Sequence, residues 1–167
     1  MAHIGFGGGC HWCTEAVFKS LIGVTSVEQG FIRSTKPDHI FSEAVQIFFE
    51  PTIISLAVLI EIHLRTHSSS SNHKMRNKYR SAVYTTNTQQ SIQASDCIKV
   101  LAREFNKPII TRVLALEEFN ASPEHYQNYY AKNSQGEFCQ RFIDPKLALL
   151  KRQFQDQYVE STSSELR

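Results

Sequence analysis

The run Gly7-Gly8-Gly9-Cys10-His11-Trp12-Cys13-Thr14-Glu15 constrains this chain more than any other stretch. A strand-like lead from Ala2 to Phe6 meets three glycines, and an apolar helical pattern begins after Cys10. The backbone must switch here from strand to helix, so Cys10 sits where the free N–H groups of a helix start converge. The partial positive charge of that helix end favours thiolate over thiol, and thiolate is the attacking form. Glycines carry no Cβ and let backbone approach a small substrate closely. Free cysteines are usually small buried hydrophobes. The glycine loop, the strand-to-helix switch and the adjacent Trp12 set Cys10 apart as the candidate nucleophile.

A chain of 167 residues fits a single domain, residues 1–167, large enough to bury a core without disulfides or metal. Eighteen Lys and Arg against sixteen Asp and Glu leave a net charge of +2, too slight a bias for a nucleic-acid partner, so small or neutral substrates fit better. The longest apolar run, Ile53 to Ile62, is interrupted by Ser55 and Glu61 and falls well short of the ~20 residues of a membrane span. The strand lead starts at Ala2 and leaves no room for a signal peptide, which points to a cytoplasmic protein, and we expect a monomer. Four cysteines are too few for a disulfide scaffold and read as catalytic, redox or buried thiols.

Along the chain, Thr14 to Leu21 reads as a helix stopped by Gly23, Val24 to Ile32 as a strand, and Glu43 to Phe49 as a strand covered on both faces. Ser55 caps a helix running to Arg65, and Ser68 to Asn77 forms a Ser/Asn-rich loop. Tyr79 to Thr85 is a third strand, Thr88 to Phe105 the clearest helix, and Ile109 to Leu116 a further strand. Ser122-Pro123 and Asp144-Pro145 start two C-terminal helices, with an irregular segment from Asn133 to Phe142 between them that carries Cys139. Because Val24–Ile32 and Glu43–Phe49 are joined without a helix, the expected fold is α+β, a two-layer α/β sandwich with a mixed sheet.

The Gly-Gly-Cys-x-Trp opening, Ser42-Glu43-Ala44-Val45 at a strand start and Tyr79-Arg80-Ser81 before a strand resemble, in order and spacing, the A-type peptide methionine sulfoxide reductases over about residues 2–140. The resemblance implies reduction of methionine-S-sulfoxide, free or peptide-bound, to methionine, with thioredoxin or another dithiol as reductant and no bound cofactor. We expect the sandwich to be a ferredoxin-like plait. A thiolate attacks the sulfoxide sulfur, and the oxygen becomes basic as the S–O bond weakens, so an acid must be waiting. Glu43 is the candidate, and holding a proton near neutral pH requires that it be buried against apolar neighbours. By the same resemblance Tyr79 adds a phenolic hydrogen bond to that oxygen, and Trp12 walls the substrate methyl group.

Three positions depart from the family pattern. Phe31 stands where a second sulfoxide-binding Tyr usually follows a Gly, so one hydroxyl is missing. Asn72-His73-Lys74-Met75-Arg76 replaces a Gly-Asn-Asp turn, exchanging a carboxylate for Lys74, and His11 replaces a Phe and gives the methyl pocket a polar edge. Oxygen transfer leaves a sulfenic acid that a second thiol must resolve. Cys13 and Cys139 are both candidates; the flexible setting of Cys139 resembles the C-terminal stretch that supplies this thiol in many relatives and favours it. Cys97 falls on the apolar face of the Thr88–Phe105 helix and reads as an inert core thiol.

Two rival chemistries and one retired state use the same residues. Cys10-x-x-Cys13 also fits a thiol–disulfide oxidoreductase. Cys10, Cys13, His63 and His67 make a candidate zinc set, although their spacing is unlike a compact zinc finger. The losses at Phe31 and Lys74 are also what a catalytically impaired interaction protein would show.

Overall fold

The structure is a computed structural model describing residues 1–67, 69 and 78–159. Strand β1 (Ala2–Gly7) leads into helix α1 (His11–Lys19), followed by β2 (Val24–Arg33), β3 (Ser42–Phe49), α2 (Leu56–Thr66), β4 (Ala82–Thr85) and α3 (Thr88–Leu101). Strands β5 (Arg112–Ala115) and β6 (Glu118–Ala121), helix α4 (Tyr129–Asn133), a π-helical turn at Cys139–Ile143 and helix α5 (Asp144–Gln153) complete the chain. The six strands form one mixed sheet in the order β5-β4-β1-β3-β2-β6, antiparallel throughout except for the β4–β5 pair. Among the described residues, no helix is long and apolar enough to cross a membrane.

Strand alternation sorts the core into two parts. Ile4 and Phe6 of β1, Val45, Ile47 and Phe49 of β3 and Val83 of β4 share one face with Phe18 of α1, Leu59 and Ile60 of α2 and Leu150 of α5. Each such buried Leu, Ile or Phe contributes roughly 1.5–3 kcal/mol by leaving water. The opposite face holds a smaller core of Ile32, Ala44, Ala82 and Tyr84, with Leu114, Leu116 and Phe119 packed against it.

That second core exists because the sheet curls. β5 and β6 lie at opposite edges, yet only Leu116 and Glu117 join them. Three residue steps reach about 10 Å, whereas six strands laid flat at ~4.8 Å spacing would hold the edges more than ~20 Å apart. The linker bridges the edges directly: Leu116 N–H donates to Thr85 O at 2.8 Å and Glu117 N–H to Arg33 O at 3.1 Å. Inside the curl the Arg80 guanidinium donates to the Tyr84 hydroxyl and to the carbonyls of Ile40 and Ile32, at 3.0 to 3.1 Å. Gly30 makes the curvature possible where β6 closes on β2, since a Cβ there would stand 2.2 Å from Asn120 O and 2.9 Å from Ala121 Cα.

The structure shifts several of the expected elements. α1 begins at His11 rather than Thr14, because Cys10 itself is the cap. β4 starts at Ala82, leaving Tyr79 to Ser81 as an approach segment, and β6 replaces what reads as linker because its backbone pairs with the β2 edge. The Ser122-Pro123 signal opens only a single 3-10 turn, Glu124–Tyr126. The segment from Asn133 to Phe142, expected to be irregular, is largely helical and ends in the π-helical turn, whose Cys139 and Ile143 are buried. Cys97 is half-buried at the core margin rather than within it, and burial pushes its thiol up. The Ser68–Asn77 loop, Lys74 included, lies outside the described residues apart from Ser69.

Replacing Gly30 by Ala should cost about 1–3 kcal/mol, the usual penalty for overpacking, because backbone of β6 rather than a movable side chain must give way. Urea unfolding checks this; a midpoint equal to wild type would show that the β2–β6 contact does not require glycine.

Candidate active site

The pairing of three strands gathers the site at one end of the sheet. Gly7, the last residue of β1, lies opposite Ala44 of β3 and opposite Ala82 of β4. The loop to Cys10 therefore emerges beside Glu43 and beside the segment from Lys78 to Ser81. Ser42 fastens that segment: its hydroxyl donates to Lys78 O at 2.8 Å and accepts the Arg80 N–H at 2.7 Å. Gly8 has φ of +153°, and a Cβ there would meet the His67 ring at 2.4 Å, so the loop needs glycine at this point.

Cys10 caps α1 with extended backbone, and its carbonyl accepts the N–H groups of Cys13 at 3.1 Å and Thr14 at 3.3 Å. A hydrogen bond from the Cys13 thiol is the main cause that holds the Cys10 thiol below its ordinary value; burial opposes it, and the N–H groups of Trp12 and Cys13 add to the lowering. The same bond, together with burial and the neighbouring sulfurs, pushes Cys13 far up. The two sulfurs are thus pushed in opposite directions, Cys10 toward thiolate and Cys13 toward thiol. Cys139 is buried behind them with Cys13, Ala16 and Ile143, and burial and then Asp144 push its thiol up.

Glu43 is 7 % exposed and pairs across the sheet with Phe31. Its Oε1 accepts the His11 backbone N–H at 3.2 Å and lies 3.6 Å from His11 Nε2, while Lys78 Nζ lies 3.6 Å from Oε2. Phe31 sets its ring edge-on to His11, with centroids 5.4 Å apart. Tyr79 lies under Lys78, whose Nζ is 5.1 Å from its ring centre. Cys10 and Tyr79 both line a cavity of about 370 Å³, whose apolar wall includes Val17, Phe138 and Phe142.

Trp12 lies in an aromatic cluster next to that cavity. Tyr129 stacks on it with centroids 4.0 Å apart and planes within 1°, and Phe138 meets it edge-on at 5.6 Å. Buried Glu15 fixes this arrangement, accepting the N–H groups of Asn128 at 2.9 Å and Tyr129 at 3.2 Å and the Gln29 amide at 3.0 Å. Sequence reasoning missed Glu15, Tyr129 and Lys146, all of which act across long chain separations that no local pattern reports. Lys146 of α5 lines the cavity and donates to Thr66 O; burial lowers its value, against the pull of the Cys13 and Cys10 sulfurs.

His63 and His67 also face the cavity, but their ring nitrogens are engaged with protein. His63 Nε2 donates to Gly7 O at 2.8 Å, and burial, reinforced by His67, holds His63 well below the usual imidazole range. His67 Nδ1 donates to His63 O and its Nε2 accepts from the Ser81 hydroxyl at 2.8 Å. Among the described residues no group of three or more His, Cys, Asp or Glu side chains is placed to hold a metal, so the four-residue zinc set is not assembled.

The comparisons with known proteins fit this geometry. The family described as peptide methionine sulfoxide reductase matches residues 2–158. The peptide methionine sulfoxide reductase MsrA of Trichodesmium erythraeum is 36% identical, over 90% of this chain and 94% of that protein. Mxr1 of Saccharomyces cerevisiae in reduced form superposes with a TM-score of 0.73 at 20% identity, over 82% of this chain and 88% of that one. Mxr1 in complex with Trx2 gives a TM-score of 0.61 at 18% identity, over 76% of this chain and 83% of the other. With the family matched over nearly its whole length and the reactive cysteine, carboxylate and tyrosine gathered at one sheet end, this chain belongs to the peptide methionine sulfoxide reductase family.

Proposed function

We propose that this protein reduces methionine-S-sulfoxide, free or within proteins, through Cys10. The observation that carries the reading is the placement of Cys10 as the cap of α1, on a cavity it shares with Tyr79. The Cys10 thiolate attacks the sulfoxide sulfur, Glu43 delivers a proton to the oxygen, and Tyr79 donates a hydrogen bond to it. The oxygen passes to Cys10 as a sulfenic acid and the thioether leaves. Phe31 and His11 border the substrate beside Glu43, and Trp12 walls the methyl group. Phe31 adds no hydroxyl, so one hydrogen bond fewer stabilises the oxygen.

Cys13 is the thiol already bonded to Cys10, so it condenses first with the sulfenic acid, releasing water and forming a Cys10–Cys13 disulfide. Cys139 sits behind Cys13; its sulfur attacks that of Cys13, the Cys10–Cys13 bond breaks with Cys10 as leaving thiolate, and a Cys13–Cys139 disulfide remains. A thioredoxin or another dithiol then restores the thiols; the complex of Mxr1 with Trx2 supports that partner class. All electrons come from thiols, and the reaction needs no bound cofactor. The chain works as one domain, monomeric and cytoplasmic, without nucleic-acid or membrane partners. The order β4-β1-β3-β2 supports reading the central strands as a ferredoxin-like plait, widened by β5 and β6.

Cys10→Ser should abolish reduction of methionine-S-sulfoxide by dithiothreitol while far-UV circular dichroism stays unchanged; residual turnover would remove Cys10 from the mechanism. One equivalent of sulfoxide followed by peptide mapping should yield Cys10–Cys13 in Cys139→Ser. A Cys10–Cys139 bond in wild type, with normal cycling of Cys13→Ser, would reverse the order of the two thiols. Glu43→Gln keeps the shape but has no carboxyl proton, so reduction should slow on the order of 10²-fold. An unchanged rate would exclude Glu43 as the acid.

A further inference from the structure

We propose that His11 and Glu43 share one proton, and that His11 keeps the acid loaded for oxygen transfer. The inference rests on the reading of Glu43 as proton donor. It comes from the ring geometry of a residue that is Phe in the family pattern.

His11 Nδ1 lies 2.9 Å from Gly30 O. A carbonyl only accepts, so Nδ1 carries the hydrogen and fixes the tautomer. The other ring nitrogen, Nε2, faces Glu43 Oε1 at 3.6 Å, with the two side chains only 10% and 9% exposed. If no proton lay between them, an imidazole lone pair would face a carboxylate where little water reaches. With one proton the pair is either imidazolium with carboxylate or imidazole with carboxylic acid, and both forms are attractive. Catalytic pairs of this length in unliganded sites tighten when substrate binds.

The remaining groups around Glu43 do not supply this function. The His11 backbone N–H and the Lys78 ammonium are donors, so neither can accept a carboxyl O–H. Phe31 offers only a ring edge to His11. Cys10 on α1 repels a carboxylate when ionised, and Tyr79 is engaged with Lys78. His11 Nε2 is the acceptor in place, and Gly30, held by its tight contact with β6, aims the ring.

The cycle balances in atoms and charge. After the Cys10 thiolate attacks the sulfoxide sulfur, the shared proton moves to the oxygen, and the S–O bond of the substrate breaks as that oxygen passes to Cys10. This leaves Cys10 sulfenic acid, thioether, neutral His11 and Glu43 carboxylate. Condensation with the Cys13 thiol expels water. Exchange with Cys139 re-forms the Cys10 thiolate and passes the Cys139 proton to the His11–Glu43 pair, and reduction by a dithiol returns two hydrogens, one each to the Cys13 and Cys139 thiols.

Single-turnover reduction should be followed against pH in wild type and in His11→Phe, which restores the family residue. The limb of the profile that falls with rising pH should move to lower pH in His11→Phe, with the rate above neutrality reduced on the order of ten-fold, part of the usual general-acid contribution. A packing role alone would scale the profile without moving it. Independently of activity, ring ¹⁵N spectra should show Nε2 of His11 hydrogen-bonded or protonated in wild type and as a free lone pair in Glu43→Ala. Failure of wild type to reduce the sulfoxide would sink the proposed function and leave the spectra to decide the proton pair. An unmoved pH profile in an active His11→Phe enzyme, or superimposable spectra with and without the carboxyl, would overturn the shared proton.

Discussion

Gly7 at the end of β1, paired on one side with Ala44 and on the other with Ala82, is the constraint from which the site follows. Antiparallel pairing on both sides brings the end of β1 beside the beginnings of β3 and β4. The Cys10 loop leaves β1, Glu43 opens β3 and Tyr79 precedes β4, so three residues far apart in sequence meet without any long lever. A Cβ on Gly7 would stand 2.9 Å from Arg80 O and 3.2 Å from Glu43 O, so the same glycine sets how closely the three segments approach.

On that frame the chemistry is divided between two adjacent pairs. The contact between Cys10 and Cys13 favours the thiolate on the first sulfur and the thiol on the second, which is the arrangement that attack followed by condensation needs. The second pair is Glu43 and His11, with Lys78 and the His11 N–H fixing the orientation of the carboxylate. Cys10 and Tyr79 line the cavity while Glu43 and His11 do not, and its Phe138 and Phe142 come from the C-terminal part of the chain.

The sequence was readable where a local rule dominates. Ser55 caps α2 as expected, its hydroxyl accepting the Val58 N–H at 3.2 Å, and β2 and β3 fall where alternation puts them. The strand-to-helix switch at Cys10 was legible because glycine and helix-start physics act over a few residues. The curl was not, because it is a property of closure between β5 and β6 rather than of either strand. Cys139 follows a polar, glycine-containing stretch that reads as loose, yet Ile143 and its own sulfur pull the turn into the α1 interface. His11 looked like a polar edge because its partners, Gly30 and Glu43, are set by sheet register.

The most direct measurement is to follow the oxygen. Protein carrying Cys13→Ser and Cys139→Ser, which cannot resolve a sulfenic acid internally, should be given one equivalent of ¹⁸O-labelled methionine-S-sulfoxide and trapped with a sulfenic-acid reagent in the absence of thiols. In unreacted aliquots the label should map by mass to the Cys10 peptide, with a matching yield of methionine and none from the R epimer. Methionine formed with no label on Cys10, or label on another residue, would contradict oxygen transfer to this sulfur.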